Sequence, residues 1–388
     1  MKYVSFAFFI LVVSCKIQQP QSTPKPDAEI PEQTIESDPI TSPDIPVVEI
    51  ADSVEIRIHR LLPDYVRIMG VGDMMIGTNF PDPKYLPPDS GNSILSFVTD
   101  SLKLADVTFG NLEGVILNEG GTPKNCKNPE KCYIFRMPEY MVQNFKNAGF
   151  NLLSVANNHS GDFGEEGRVS TSNLLTQAEI HFAGFDTKPY TIFKKGHLRY
   201  GFAAFAPNKG TASINDIETA RNIVAHLDSL VDIIIISFHG GAEGKSFEHV
   251  TRETEFFYGE NRGNVYEFSH ALVDAGADII FGHGPHVVRA IEIYKNRFIA
   301  YSLGNFSTYA RFNLRGPNAY APIIDLQVSS SGEFLSGKII SAIQTGLGIP
   351  KFDSQNRAAL RIKELSEIDF PEAEIIVESS GVISYIQQ

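Results

Sequence analysis

Residues 233–243 read IIIISFHGGAE, an apolar run broken only by Ser237 and followed by a histidine, two glycines and a glutamate. Four consecutive isoleucines indicate a strand that is covered on both faces, which is typical of sheets flanked by helices. A similar pattern, a short apolar run followed by polar residues beside glycine or asparagine, occurs elsewhere in the chain. The sequence therefore predicts an α/β domain whose polar side chains gather where strands end.

Predicted strands and helices alternate from residue 65 onward. The predicted strands are 66–71, 107–111, 152–157, 198–205, 233–238, 279–282, 290–294 and 297–302, and the last two form a hairpin. The predicted helices are 94–104, 139–148, 167–177, 214–230 and 265–275. The folded domain is expected to span 61–350, with 351–388, which is mixed and charged, as a C-terminal appendage.

The charge of the chain limits its partners. Its 388 residues include 33 Lys and Arg against 46 Asp and Glu, which gives a formal net charge of −13. Such a chain has no excess of cations to displace the counterions of nucleic acid or to dock on anionic lipid. No nucleic-acid partner is therefore expected.

The N-terminus resembles an export signal. Lys2 precedes an apolar run from Val4 to Val13, which is too short to span a bilayer but fits a signal-peptide core. The following Ser14-Cys15 completes a stretch that resembles a bacterial lipobox. We interpret 1–14 as a lipoprotein signal peptide and Cys15 as the lipidated residue. A plain secretory signal with an incidental cysteine is the alternative.

Residues 15–60 are predicted to be a disordered tether. The part from 16 to 53 carries seven prolines and eight acidic residues, and it has too few large apolar groups to offset the entropy of ordering. The folded domain would then be held outside the cytoplasm at a membrane of the bacterial cell envelope. The outer membrane is favoured where the cell has one, because Lys16 does not resemble an inner-membrane retention signal.

Cys126 and Cys132 lie in a turn-rich loop. In a protein outside the cytoplasm such a pair is most simply a disulfide. A metal role is the weaker alternative, because the chain has three cysteines in all and cannot complete a thiolate site.

Five predicted strands end in polar motifs. Singly each is weak, since a Gly-Asp pair after a strand is more often a turn and a lone histidine is more often a packed residue. Together they bring one Asp, one Glu, one Asn and four His to strand ends, and imidazole and carboxylate are ligands for divalent Zn, Mn or Fe. We therefore expect a metal centre. The motifs are Gly72-Asp73-Met74-Met75, Gly110-Asn111-Leu112-Glu113, Asn157-Asn158-His159 with Asp162 shortly after, His239-Gly240-Gly241-Ala242-Glu243, and Gly282-His283-Gly284-Pro285-His286.

In this order, and followed by Ser302-Leu303-Gly304-Asn305-Phe306, the motifs resemble the CapA/PgsA family of poly-γ-glutamate capsule biosynthesis proteins. The resemblance covers about residues 65–350. It implies a calcineurin-like metallophosphatase fold, which is a four-layer α/β/β/α sandwich with two central sheets flanked by helices. It also implies a site for two divalent ions between strand ends.

The resemblance assigns roles residue by residue. His159 matches the group that protonates a leaving oxygen, and Glu243 is close enough to His239 to orient it or to act on substrate. Arg136 and Asn305 are the predicted substrate-binding residues, although Asn305 could instead support the site or cap a turn, and Arg136 could be a surface charge. Lys245, Arg289 and Arg311 could line the same cleft. The metal ligands implied are Asp73, Glu113, Asn158, His239, His283 and His286.

Two positions depart from the usual metallophosphatase pattern. The first motif is typically Asp-x-His, and here its third position is Met75, whose thioether is a poor ligand for a hard divalent ion. The bridging aspartate is replaced by Glu113. The first metal position could therefore be weaker, differently filled or empty.

Three functions remain consistent with these motifs. The first is an envelope-anchored, metal-dependent hydrolase that acts on a phosphoester or on a linkage of an anionic polymer such as poly-γ-glutamate. The second is a non-catalytic, polymer-binding component of a capsule synthesis or export complex. The third is a structural lipoprotein with packed histidines, and the five motifs at strand ends count against it.

Overall fold

A computed structural model describes residues 65–126, 132–373 and 375–385. The predicted signal peptide, the lipidation site Cys15 and the tether at 15–60 lie outside the described residues. Among the helices within these ranges, none is both long and apolar enough to cross a membrane.

Short strands make up most of the regular structure. In chain order they are β1 (Val66–Met75), β2 (Val107–Leu112), β3 (Val115–Ile116), β4 (Arg136–Met137), β5 (Leu152–Ser154), β6 (His181–Ala183), β7 (Tyr190–Lys195), β8 (Leu198–Phe205), β9 (Ile233–His239), β10 (Phe256–Phe257), β11 (Glu260–Asn261), β12 (Ile279–His283), β13 (Ile291–Tyr294), β14 (Arg297–Ala300), β15 (Asn305–Thr308), β16 (Ile323–Val328), β17 (Phe334–Ile340), β18 (Ala342–Thr345), β19 (Ile349–Phe352), β20 (Ile375–Val377) and β21 (Val382–Tyr385). The helices are α1 (Ser96–Leu102), α2 (Val142–Ala148), α3 (Gly164–Gln177), α4 (Ile217–Asp228), α5 (Val265–Val273) and α6 (Arg357–Asp369).

Two sheets carry the motif strands. The larger sheet has the order β20-β21-β17-β16-β1-β2-β5-β6, with β15 also paired to β1, and the smaller sheet has the order β13-β14-β12-β9-β8-β7. The motif strands are parallel neighbours in both sheets, β1-β2-β5 in the larger and β9-β12 in the smaller. Because parallel neighbours end on the same side, the polar motifs share one edge of each sheet.

Apolar side chains pack in three layers between and outside the sheets. The layer between the sheets includes Phe109 of the larger sheet and Phe281 of the smaller, whose rings stack with centroids 5.1 Å apart. Helices α1, α2 and α3 cover the outer face of the larger sheet, and α4 and α5 cover that of the smaller sheet. The predicted four-layer α/β/β/α sandwich is therefore confirmed.

Up to residue 302 the sequence located the motif strands and the helices but missed β3, β4, β6, β7, β10 and β11. All five predicted helices are present with shortened or shifted ends, and 139–148 begins as a 3₁₀ turn at Glu139–Met141 before α2. The predicted strand at 152–157 stops at Ser154, because its last residues turn away into the polar motif. Strands β15 to β21 and helix α6 were not predicted.

The segment predicted as a C-terminal appendage is built into the sandwich. Strands β20 and β21 extend the larger sheet beyond β17. Helix α6 buries Ala359 and Ile362 in the layer between the sheets and Leu365 in the outer layer of the smaller sheet. This helix has its apolar residues at helical spacing, so it packs as part of the core despite its many charges.

This packing predicts unequal effects of two alanine substitutions in α6. Ile362 is fully buried, whereas Leu360 is 42% exposed. Ile362→Ala should lower the free energy of unfolding by about 2–5 kcal/mol, because it removes buried methyl groups and leaves a cavity. Leu360→Ala should cost no more than about 1 kcal/mol. Urea unfolding measures both, and small, equal losses would contradict the burial of α6.

Candidate metal centre

Strand register brings the motif residues together. Asp73, near the end of β1, is the Cα partner of Asn111 in β2 and of Asn305 in β15. A Cβ atom on Gly72 would lie 2.0 Å from the carbonyl oxygen of Gly304, so only glycine permits the close approach beside Asp73. In the smaller sheet, the last residues of β9 and β12, His239 and His283, are likewise partners.

Asp73 is the centre of a buried hydrogen-bond network. Its Oδ1 lies 3.2 Å from His283 Nδ1 and accepts from Asn111 Nδ2 at 2.9 Å, and its Oδ2 lies 2.9 Å from His286 Nδ1. Burial alone would raise the pKa of Asp73, but its hydrogen bonds to the two histidines outweigh burial and hold that pKa below its usual range. Burial lowers the pKa of His286, yet the bond to Asp73 and the nearby carboxylates raise it to about 9.

Several potential ligand atoms around Asp73 are buried without a partner. No described residue offers a hydrogen bond to Glu113 Oε1, to His283 Nε2 or to either ring nitrogen of His239. Leaving a buried polar atom unpaired costs about 1–3 kcal/mol, so such a group of atoms requires an explanation. Atoms of Asp73, Glu113 and His239 lie within 4.8 Å of one another, close enough to share an ion. The donor set fits a divalent metal.

The electrostatics of Glu113 and His239 agree with that fit. Burial and the negative charge of Asp73 raise the pKa of Glu113 well above its usual value. Burial and the positive charge of Arg262 lower the pKa of His239 well below its usual value. A bound cation would favour the ionised form of Glu113. The lowered pKa of His239 favours its neutral imidazole, which is the form that binds metal. Met75 is fully buried and supplies no such donor.

His159 is held by a buried carboxylate to which the sequence analysis gave no role. His159 Nδ1 lies 2.8 Å from Oδ2 of Asp162, which is fully buried. Asp162 also accepts from the backbone N–H of Phe135 at 2.7 Å and lies 2.5 Å from Lys124 Nζ. Burial lowers the pKa of His159 despite the neighbouring carboxylate. Because Nδ1 is engaged, Nε2 is the nitrogen left for a substrate. The spacing of three residues between His159 and Asp162 was the available signal.

These residues adjoin a cavity of about 550 Å³. Five predicted site residues line it, namely Asn158, His159, Glu243, His286 and Asn305. The side-chain Oδ1 of Asn158 is buried, and no described residue hydrogen-bonds to it. The rest of the wall combines cations, the carboxylate of Glu260 and aromatic rings, and it includes Lys124, Arg262, Arg311, Tyr133, Phe135 and Phe312. The chain is acidic overall, but this wall carries three cations beside the carboxylates of Glu243 and Glu260.

The substrate role predicted for Arg136 is contradicted by its contacts. Arg136 Nε donates to Asn79 Oδ1 at 2.7 Å and Nη1 donates to the carbonyl oxygen of Gly120 at 3.1 Å. Its guanidinium lies over the ring of Phe163, 4.8 Å from the centroid. These contacts direct the side chain away from the cavity wall, so it ties loops together instead of binding substrate.

Other predicted residues have partners that refine their roles. Glu243 Oε1 lies 3.4 Å from Arg262 Nη2, so its partner is an arginine and not, as expected, His239. Asn305 Oδ1 lies 3.1 Å from Nδ1 of His286, and its Nδ2 donates to the carbonyl oxygen of that residue at 3.2 Å. His286 has a φ of 57°, an uncommon backbone conformation that these contacts hold in place. Arg289 is buried and pairs with Glu255 at 2.7 Å.

The cysteines of the turn-rich loop form the predicted disulfide. Cys126 and Cys132 are bonded, with their Cα atoms 5.9 Å apart. Cys132 lies on the cavity wall. Lys124 and Phe135, which hold Asp162, flank this bridge on either side in the chain.

A family model and curated relatives match the chain. The model described as "Bacterial capsule synthesis protein PGA_cap" matches residues 67–309. The capsule biosynthesis protein CapA of Bacillus anthracis is 28% identical over 255 residues, which cover 61% of this chain and 58% of the relative. The PGA biosynthesis protein CapA of Bacillus subtilis is 27% identical over 266 residues, covering 64% and 65%. The chain thus spans less than two thirds of the length of either relative.

Solved structures with partial similarity include two nucleotidases. A putative 5'-nucleotidase from Staphylococcus aureus has a TM-score of 0.42 at 14% identity, covering 78% of this chain and 58% of that one. A 5'-nucleotidase precursor from Thermus thermophilus has a TM-score of 0.42 at 12% identity, covering 81% and 61%. The overlap is too partial to carry an argument, and the layer order described above establishes the fold.

The metal centre predicts which substitutions abolish metal binding. The full chain should be purified without chelator, reloaded with Mn, Zn or Fe, and its metal content measured by elemental mass spectrometry. We expect about two ions per chain if both metal positions are filled, and about one if the first metal position is lost because Met75 replaces a ligand. His239→Ala and Glu113→Ala should lose bound metal.

The matched control is His197→Ala, because His197 is exposed in the turn between β7 and β8. This variant should retain the metal content of the unmodified chain. A full metal complement in His239→Ala would exclude the assigned ligands.

Proposed function

The chain belongs to the bacterial capsule synthesis protein family PGA_cap, and we propose that it is a metal-dependent hydrolase of the cell envelope. Its substrate would be a phosphoester or a linkage in an anionic polymer of the poly-γ-glutamate type. The names of its relatives, which concern capsule and PGA biosynthesis, support that context.

One observation carries the proposal. Buried ligand atoms without protein partners lie beside Asp73, and the cavity next to them is lined by a histidine that a buried carboxylate orients. Histidines that served only for packing would have their ring nitrogens paired or solvated. A site that combines a metal-ligand set with a candidate proton donor is suited to hydrolysis.

The residues of the chain divide the chemistry between them. Divalent ions at the ligand set would supply Lewis-acid catalysis and a nucleophile at neutral pH. Asp162 fixes the ring of His159 by accepting from Nδ1–H, which leaves Nε2 to hold the proton for a leaving group. The lowered pKa of His159 makes its protonated form, which carries the second proton on Nε2, a stronger acid, and it makes that form less populated at neutral pH. Phe135 packs on the His159 ring, with centroids 4.3 Å apart, and limits its rotation.

The cavity favours a small or terminal anionic group. Its volume of about 550 Å³ is that of a small-molecule site, so a polymer would present one linkage or one end at a time. Lys124, Arg262 and Arg311 line it and would attract negative charge locally, although the chain repels polyanions at long range.

A second candidate is a non-catalytic, polymer-binding component of a capsule synthesis complex. The buried thioether of Met75 favours it, because an Asp-x-His motif would place a ligand at that position. The cations that line the cavity would then retain polymer without turnover.

Substitution of His159 distinguishes these two candidates. His159→Ala should lower kcat on the best phosphodiester or γ-glutamyl substrate by about 10²–10⁴-fold, because it removes the proton donor. Metal content and polymer binding should be unchanged. Activity assays, elemental analysis and a binding titration on one preparation measure all three.

His197→Ala again serves as the control and should keep the activity of the unmodified chain. Full activity in His159→Ala, together with loss in His239→Ala, would show that the proton donor is another group. Polymer binding without turnover of either substrate class by the unmodified chain would favour the second candidate.

Attachment at Cys15 is the proposed location signal, and it can be tested separately. Cys15→Ser should abolish incorporation of labelled fatty acid and move the protein out of the membrane fraction, because one residue carries the lipid. Fractionation and labelling of cells expressing either form measure this. Unchanged membrane association in the Cys15→Ser form would contradict lipidation.

A further inference from the structure

Arg262 is a buried cation beside the metal centre to which neither the motifs nor the family resemblance gave a role. It follows β11 and precedes α5. Its side chain is only 2% exposed, yet it lines the cavity. Burying a guanidinium is costly unless each of its polar groups is paired, so the contacts of this side chain are informative.

Two of the three guanidinium nitrogens are held by the protein. Nε donates to the carbonyl oxygen of Gly241 at 3.0 Å, and Nη1 donates to Glu260 Oε2 at 3.0 Å. Glu260 is itself fixed by Asn208, whose Nδ2 donates to its other oxygen at 2.7 Å. The plane and direction of the guanidinium are therefore set before any ligand binds.

The third nitrogen, Nη2, lacks a hydrogen bond. It is buried, and nothing among the described residues accepts from it. Glu243 Oε1 lies 3.4 Å away as an ion-pair partner, and the Glu243 side chain is 25% exposed. Arg262 is thus rigid and incompletely paired, whereas its counter-ion has access to solvent.

Nη2 lies next to the metal-binding histidines. A Cβ atom on Gly284, which separates His283 from Pro285 and His286, would lie 3.1 Å from Nη2. The absence of a side chain at Gly284 keeps this approach open. A fixed N–H donor therefore occupies the junction between the cavity and the metal centre.

We propose that Arg262 Nη2 binds an anionic oxygen of the substrate, phosphoryl or carboxylate, and that this oxygen displaces Glu243. A hydrogen bond between charged partners is stronger than a neutral one, and the donor here is already oriented. Glu243, for which a catalytic role was predicted, is then the internal counter-ion of the empty cavity. The inference rests on the proposed function in one respect, which is that the bound anion is the substrate. Anion binding at Arg262 itself requires no turnover.

The test is a calorimetric titration of the full chain with inorganic phosphate and with glutarate, in metal-loaded and chelated protein. Arg262→Gln should weaken binding of the preferred anion by at least about tenfold, since the donor is lost. Glu243→Gln should strengthen binding by about threefold or more, because the competing charge is removed. Arg221→Gln, which removes the same charge from an exposed position on α4, is the control and should leave affinity unchanged.

Each outcome decides the proposal. Equal weakening in Arg262→Gln and Arg221→Gln would mean that net charge alone acts, and would overturn it, as would failure of the unmodified chain to bind either anion. If Arg262→Gln does not fold, Glu243→Gln decides, and unchanged affinity in that variant overturns the proposal. Preference for phosphate or for glutarate identifies the phosphoryl or the carboxylate source. Binding that depends on Arg262 without any turnover would support this site while rejecting the hydrolase.

Discussion

The contact between Asp73 and His283 joins the two sheets at the edge where every motif lies. Asp73 belongs to β1 of the larger sheet and His283 to β12 of the smaller, and both are fully buried. A buried carboxylate is tolerated only when its charge is compensated. Hydrogen bonds with His283 and His286 compensate Asp73, while burial raises the pKa of Glu113 well above its usual value. Because the pKa of His286 is also raised, metal binding at Glu113 and His286 would release protons.

The fold also explains how an acidic chain brings cations to its cavity wall. The sheets pack against each other through an apolar layer along most of their length, and the cavity lies at the edge where the motif strands end. Loops that reach this edge bring Lys124, Arg262 and Arg311 to the cavity wall. Each of these cations is fixed by a neighbour: Lys124 lies beside Asp162, Arg262 donates to Glu260, and Arg311 lies over the rings of Tyr85 and Tyr133. Local arrangement, not net charge, therefore sets what the cavity attracts.

Most of the candidate metal ligands could be predicted from sequence because strand and motif are adjacent in the chain. An apolar run followed by Gly-Asp or by His-Gly-Gly indicates, from adjacent residues alone, that a polar side chain follows a buried strand. Arg262 lacks this signal, since its position is set by contacts such as that with Gly241, which is distant in sequence. Asp162 follows His159 by three residues, but only the structure shows that the two side chains are in contact. Arg136 shows the opposite failure, because closeness to a motif in sequence does not determine where a long side chain points.

The C-terminal part was missed for a related reason. In β16, Ile323–Val328, apolar residues alternate with Asp and Gln, and that half-polar pattern is weaker than an unbroken run of isoleucine. Helix α6 shows helical spacing of its buried residues, but its charges resemble those of a solvated segment.

Different structural elements position the candidate metal ligands on strands and the residues that would contact the substrate. Asp73, His239 and His283 project from paired strands, which are the most rigid elements of the sandwich. His159 lies on a turn, and the orientation of its ring depends on Asp162. Asp162 in turn contacts Lys124 and Phe135, which precede and follow the disulfide in the chain. Arg262 depends on a third loop, through Gly241 and Glu260. Changes in the loops that hold His159 and Arg262 can therefore alter which substrate is bound while Asp73, His239 and His283 stay in place, because no backbone hydrogen bond of the motif strands has to break.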